Sequence, residues 1–550
     1  MGVNGIYGLS GSGLDIESMV KVGMMSKQSE YNKMQQKLTT QTWTKEAFNT
    51  VYSDLSTYNY STLSQYKMQS TMNAMNASST NESAVKATAN GAAASMTHTV
   101  NVQSMASNAY LLTGNRGIDR AADDGETKSS SIYLKDVINV DDWSDEDSLS
   151  FTINDGENTA TIKLTKADIT DSQQTLYDLA SKITSAKSAS GDKLSLTGSY
   201  DATNDAFAIY NNTGGSKHKI EITVNDKKAA ELLNNLNLQS VKTETTNQDG
   251  TSTTTSSLGD VVSFSYDEND STNNVSTVSG EDGKVIIDGK TYTTENNRVT
   301  ASNVTYTLAG IGSSTVNVTQ DTDAIIEKVK SFVEDYNKLL DGLYEKYSEV
   351  KYSDYKPLTD AQKEQMSEEQ VEKWEKKAKS GMLYHDATIG KILDKMRTAL
   401  ATPVEGLSGK YNSAFSLGID TSKTNGHIRL DEDKLKKALA AEPESVYAVF
   451  GTLPQSDSEG NYDYNSMGIA QRLGDVMTSS MREVKSYAGE SSEMADGSTL
   501  GNLMQELQTK MSNFKTMMSA FESKLYKKYD ALEVALSQLG TQLNYITGGQ

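Results

Sequence analysis

The chain has 550 residues, with 52 Lys+Arg against 73 Asp+Glu and a formal net charge of -21; no basic stripe is present to meet a phosphate backbone, so nucleic acid is not an expected partner. Cysteine is absent and only four histidines occur, which excludes thiolate catalysis, disulfides, iron–sulfur clusters and cysteine-bound zinc. Hydrophobic residues make up 36%, below the usual ~45–50%, which points to several thin, elongated domains, and no apolar window reaches the ~18 residues of a membrane helix, so no membrane insertion is expected.

The chain opens without a basic n-region and apolar h-region. The protein is therefore expected either to remain inside the cell or to leave it by a route that uses no cleaved signal. Gly8, Gly11 and Gly13 form a lead-in; Leu14 and Asp15 stand where a phosphate-binding loop would need Lys and Ser/Thr. Asp15 is a candidate N-cap, with Glu17 suited to the positive end of the helix dipole. Ile16, Val20, Met24, Tyr31, Met34 and Leu38 then share one face at steps of three and four, and Phe48, Val51, Leu55 and Tyr58 continue the run. No Pro or Gly interrupts Met24 to Asn90, so the helical region is expected to reach about residue 90.

Composition shifts near Asn90-Gly91 towards Thr, Ser, Asn, Asp and Gly. Val100 and Val102, Phe151 and Ile153, Ile162 and Leu164, Ile286, and Val316 and Val318 alternate with polar neighbours, the period of half-buried strands. Leu176, Leu179, Ala180 and Ile183 fit one short helix. Thr243 to Ser257 is almost wholly Thr, Ser, Asn and Gln and reads as an exposed linker or loop. The acidic runs Asp141–Asp147 and Asp267–Ser271 lack the Gly and terminal Glu of a calcium loop and read as solvated turns.

Helical periodicity returns at Asp321 with Ile325, Val329, Phe332, Val333, Tyr336, Leu339 and Leu340. A charged, solvated helix is expected over Thr359 to Lys379, another helix over Ile389, Ile392, Leu393, Met396 and Leu400, and a break over Gly489 to Gly501. The last segment carries the sharpest pattern. Leu500, Leu503, Leu507, Met511, Phe514, Met518, Phe521, Leu525, Tyr529, Leu532, Leu536, Leu539, Leu543 and Ile546 alternate steps of three and four, the signature of a coiled-coil seam. Such a helix would be about 70 Å long at ~1.5 Å per residue. It cannot bury its own stripe, and the N-terminal helix is the expected partner. Methionines interleave with the leucines (Met24, Met25, Met504, Met511, Met517, Met518), either as ordinary core or as packing that tolerates changing neighbours.

No catalytic motif is present. The histidines show no HxxxH or HxxE spacing, no GxSxG elbow occurs, and no carboxylate pair is singled out. Neither enzyme activity nor a cofactor or metal is expected.

Four motifs resemble the flagellar hook-associated protein 2 family, the flagellar filament cap proteins. The first is Gly8-Leu9-Ser10 with Ser12-Gly13-Leu14-Asp15-Ile16. The second runs from Gly289 to Tyr292, through Asn296-Asn297 and Val304 to Leu308, to Val316-Asn317-Val318 and Asp321. The third runs from Pro357-Leu358-Thr359-Asp360 through Trp374 to Gly381, then Leu383 and Asp386. The fourth runs from Leu417-Gly418-Ile419 through Gly426, Ile428, Leu430-Asp431, Lys434-Leu435, Ala438-Leu439, Pro443 and Val446 to Phe450-Gly451. The region from about 110 to 260 is matched only loosely.

The resemblance implies an α+β multidomain protein, with long terminal helices forming a coiled-coil leg and helical bundle and with nested β-rich lobes. The expected divisions are a leg over 1–42 and 505–550, a helical domain over 43–90 and 322–504, an inner β-rich domain over 91–135 and 256–321, and an outer one over 136–255. It also implies an extracellular place at the distal tip of the bacterial flagellar filament. The expected partners are itself, as a ring homo-oligomer that is most often a pentamer in this family, flagellin, hook–filament junction proteins, the flagellar type III export apparatus and a dedicated export chaperone. The residues expected at the oligomer or flagellin interface are Leu14, Ile16, Val20, Met24, Leu525, Leu532, Leu536, Leu539, Leu543 and Ile546. Two alternatives stand beside it: another axial flagellar component, such as a hook–filament junction protein, and a secreted adhesin or hydrolase acting through its β lobes.

Overall fold

A computed structural model describes residues 15–120, 131–171, 173–248, 251–421, 426–456, 462–494 and 496–547. The fold is α+β, in two compact units: a helical one from residues 1–73 with 322–550, and a β-rich one from 74–321. The lead-in glycines, Leu14 and Gly548-Gly549 lie outside the described residues.

In the helical unit the first helix runs Ile16–Thr57. Asp15 caps it, its carboxylate accepting from the Ser18 backbone N–H at 2.9 Å. Those hydrogen bonds from the Ser18 hydroxyl and N–H hold the Asp15 carboxyl below the usual carboxylate range. Phe48, Val51, Leu55 and Tyr58 are buried. The helix closes through a π-turn at Tyr58–Thr62 and a 3-10 turn at Leu63–Lys67. Helices Thr322–Ser348, Ala387–Ala401 and Ile469–Ala488 complete the core. Two short helices, Asp360–Lys363 and Glu368–Lys379, occupy the charged stretch, split where Ser367 starts a new capping box. The last helix, Thr499–Thr547, follows the break at Gly489.

The anchor of this unit is Arg472, whose side chain is wholly buried. Among the described residues it has no carboxylate partner; its guanidinium donates to the carbonyls of Met467 (2.8 Å), Ala399 (3.1 Å), Thr402 (2.6 Å), Pro403 (3.0 Å) and Asn465 (3.4 Å). Ala399 and Thr402 lie at the end of helix Ala387–Ala401, whose unpaired carbonyls carry partial negative charge. The cation thus satisfies the carbonyls at this helix end.

The β-rich unit starts earlier than residue 90. Strands Met75–Ser79 and Val85–Ala89 fall inside the stretch read as helical. The absence of Pro and Gly did not make this stretch a helix: its small and polar residues alternate between half-buried and exposed, and they pair into sheets. One sheet has the order Met75–Ser79, Gly312–Gln320, Thr97–Ser104, Gly283–Ile287, Lys290–Thr294, all antiparallel. In Thr97–Ser104 the even positions His98, Val100 and Val102 are buried and their neighbours exposed. A three-stranded sheet (Arg298–Ala301, Val304–Leu308, Val85–Ala89) supplies Val85, Val304, Tyr306 and Leu308 to the same core.

A second core lies between strands from Asn108 to Ser279. A five-stranded sheet has the order Thr251–Val261, Leu238–Gln248, Asn108–Thr113, Ala206–Gly214, Leu196–Asp201, and a four-stranded one the order Val275–Ser279, Lys219–Val224, Ser148–Asn154, Thr159–Thr165. Helices Leu176–Thr184 and Lys227–Asn235 pack on this core. Its residues run from Ala109 to Phe264, so the nested body begins near residue 108 rather than 136.

Thr243 to Ser257 is not a linker. Leu238–Gln248 and Thr251–Val261 pair as a long antiparallel hairpin, with Gln248 opposite Thr251. Threonine's branched side chain suits an extended backbone, and cross-strand hydroxyls pair along the ribbon: Thr245 with Thr254 at 3.0 Å and Thr243 with Ser256 at 3.3 Å. Asn247 donates to the Ile311 carbonyl at 2.8 Å and the Ile311 N–H donates to Ser252 at 2.9 Å, which fixes the hairpin's end.

Candidate functional site

The long terminal helices lie antiparallel along one another. Phe514 lies under the Lys27 ammonium at 5.6 Å. A Cβ on Gly23 would stand 2.7 Å from Leu525 Cδ1, so the two helices approach closely where a side chain is missing. An isolated glycine costs a helix ~1 kcal/mol relative to alanine, and here the close approach of Leu525 gives it a packing role.

The stem is fastened at its base by Lys45, a buried cation. Its ammonium donates to the Ala488 carbonyl at 2.7 Å, to Ser498 Oγ at 3.4 Å and to the Asp496 carboxylate. Burial pushes the Asp496 carboxyl up, but hydrogen bonds from Lys45 and Ser498 outweigh it and hold the group below the usual carboxylate range. One side chain thereby ties the first helix to the turn between the last two.

Burial along the last helix grades from base to tip, with Leu503 of the expected seam as an exception, turned outward at the base. Leu500, Met504, Leu507 and Met511 are buried; Phe514, Met518, Phe521, Leu525 and Tyr529 are half-buried; Leu532 (42% exposed), Leu536, Leu539 (60%), Leu543 and Ile546 (78%) face outward. On the first helix Ile16 and Val20 are buried and Met24 half-buried. The structure therefore brings Ile16, Val20, Met24 and Leu525 into the paired part of the stem and leaves Leu532, Leu536, Leu539, Leu543 and Ile546 exposed. The physical reason is length. Gly23 stands level with Leu525, so the described first helix ends about two turns further along, and the last helix continues for ~20 Å at ~1.5 Å per residue beyond the described part of its partner. Beside the pair runs a groove of about 1130 Å³, with Met24, Met25, Met518 and Tyr526 on its wall.

This gradient sets an expected result. Amide hydrogen exchange on the purified chain should be slowest around Met504–Met511 and fastest over Leu539–Ile546, because protection follows local burial. Equal protection along the helix would contradict it.

The histidines take structural places: His98 Nδ1 lies 2.6 Å from Asp288, His427 Nε2 2.6 Å from Asp341, His218 Nε2 3.3 Å from Glu295, and His385 packs against Tyr384 and Tyr347. Among the described residues no three His, Asp or Glu side chains gather where a metal ion could be held, and no helix is long and apolar enough to cross a membrane.

Sequence models of the "Flagellar hook-associated protein 2 N-terminus" and "Flagellar hook-associated protein 2 C-terminus" match residues 12–109 and 280–541. The chain belongs to the flagellar hook-associated protein 2 family. Together the two models span the helical unit and the inner β core, and they leave out residues 110–279, which hold most of the nested core.

Flagellar hook-associated protein 2 of Halalkalibacterium halodurans is 31% identical over 262 residues, 45% of this chain and 49% of the relative. That of Thermotoga maritima is 29% identical over 266 residues, 46% of this chain and 38% of the relative. That of Salmonella typhimurium is 23% identical over 295 residues, 52% and 54% of the two chains. The chain spans about half the length of the curated relatives it matches, or less. Among solved structures, the D1-D2-D3 domains of the flagellar cap protein FliD from Escherichia coli align with a TM-score of 0.49 at 19% identity, over 79% of this chain and 96% of that one.

Proposed function

We propose that the protein is the structural cap at the distal tip of the flagellar filament, outside the cell. It oligomerises into a ring, which we take as a pentamer, and promotes folding and insertion of exported flagellin beneath it. The paired helices, residues 1–42 with 505–550, are the leg that reaches into the filament, and the nested β bodies form the plate. No chemistry is performed; the work is binding, release and steric guidance.

The observation that carries this reading is the exposed leucine stripe from Leu532 to Ile546. An apolar stripe of this length on one helix marks a surface made to be covered by another protein. Its most direct partners are the terminal helices of flagellin and of a second copy, which would offer the apolar seam that the stripe lacks. The adjoining methionines, adaptable in packing, suit a leg that exchanges neighbours as the cap steps. Hook–filament junction proteins, the type III export apparatus and a dedicated export chaperone complete the expected partners. Locating a tagged copy of the chain on growing filaments tests the proposal, with label at the free end as the expected result.

A further inference from the structure

The helical unit holds a cavity of about 420 Å³ where the π-turn Tyr58–Thr62 and the 3-10 turn Leu63–Lys67 meet helix Ile469–Ala488. Two of its side chains are incompletely matched. Lys67 is half-buried, and its ammonium makes no ion pair or hydrogen bond with any described residue; burial alone pulls its pKa below that of an ordinary lysine. Asn59 is 5% exposed, and its Nδ2 donates to Thr478 Oγ1 at 3.4 Å, but its buried Oδ1 has no partner among the described residues. Both groups converge above Gly474. A Cβ there would lie 2.3 Å from Lys67 Nζ and 3.4 Å from Asn59 Oδ1, so the missing side chain makes room for the Lys67 ammonium beside the Asn59 carbonyl.

We propose that this cavity binds a carboxylate bearing an N–H or O–H donor on the adjoining carbon, the chemistry shared by an N-acylated amino acid and the last residue of a peptide. A half-buried cation without a counter-charge and a buried carbonyl without a donor each cost free energy until matched. The carboxylate answers Lys67 with a charge-assisted hydrogen bond, and the adjoining N–H or O–H answers Asn59 Oδ1. A bare anion would leave Asn59 unmatched, and a neutral amide would leave Lys67 so. Asp475, exposed on the cavity wall and making no ion pair with Lys67, disfavours a second negative charge on the ligand.

Titration calorimetry on the full chain tests this with N-acetylglycine, acetate and N-acetylglycinamide as probes. N-acetylglycine is expected to bind, with acetate and the amide each about tenfold weaker or undetectable, and with Lys67→Met about tenfold weaker in turn. Gly474→Ala, whose methyl would push the Lys67 ammonium from its place, is expected to weaken binding as well and serves where Lys67→Met alters folding by circular dichroism. N-acetyl-triglycine separates the sources: binding at least as tight as N-acetylglycine assigns a peptide C-terminus, and weaker binding assigns a small free acid. Equal binding by wild type and both variants, or no heat from any probe, would overturn the proposal and leave a hydrated cavity only.

Discussion

Replacing Leu532, Leu536 and Leu539 together by alanine is expected to abolish filament growth while leaving the free protein nearly as stable as before. In the isolated chain these three side chains are already 40–60% exposed, and surface substitutions rarely change stability by more than ~0.5 kcal/mol each. At the filament tip the proposed contacts bury them, where each Leu→Ala change costs ~2–5 kcal/mol. The same substitutions are thus silent in a melting curve and severe in assembly. Cells carrying the triple variant should release flagellin as monomer into the medium and show few or no filaments by electron microscopy. Normal filaments, or a chain that no longer folds, would each contradict the reading of the stripe as an assembly surface. Leu500→Ala is the converse control: its side chain is buried, so it should lower the melting temperature of the free protein.

The largest loss of stability is expected from Arg472→Met. The substitution keeps apolar volume but leaves the carbonyls of Ala399, Thr402, Pro403 and Met467 without their donor. An orphaned buried polar group costs ~1–3 kcal/mol, and several share this site. A total of ~3–5 kcal/mol is the scale of the most damaging single substitutions. In a unit of this size each kcal/mol moves the melting temperature by ~2–4 °C, so a fall of roughly 10 °C is expected from far-ultraviolet circular dichroism. Arg472→Lys should recover only part of it, because an ammonium lacks the planar fork that reaches several carbonyls at once. A melting temperature unchanged in Arg472→Met would mean that the carbonyls find water and that the anchor is dispensable.

The parts of this fold that are local in sequence were legible in it. Asp15 as a cap, the seam from Leu500 to Ile546, the short helix at Leu176 and the break at Gly489 all rest on residues within a turn or two of one another. What escaped depends on partners distant in the chain or on competing local readings. Lys45 and Asp496 stand 451 positions apart, and nothing near either marks the pair. The seam showed that a partner helix was needed, but not that the described partner ends near Ile16 and leaves the last five apolar positions open. The hairpin at Thr243–Ser257 was hidden by its polarity. The cue was Asp249-Gly250 between two threonine runs, a strong two-residue turn signal. Strands Met75–Ser79 and Val85–Ala89 were missed because Ala, Ser and Asn favour neither period strongly, and the sheet decided.

The central claim is that the chain sits at the free end of the filament. Electron microscopy of intact filaments, from cells whose only copy carries an affinity tag in the family-unmatched body between residues 110 and 279 and is marked with gold, tests it most directly. The expected result is label at one end of each filament, the end away from the cell, and at no other place. Label at the junction with the hook, or spread along the shaft, would contradict the account and assign the chain to a different part of the flagellar axis.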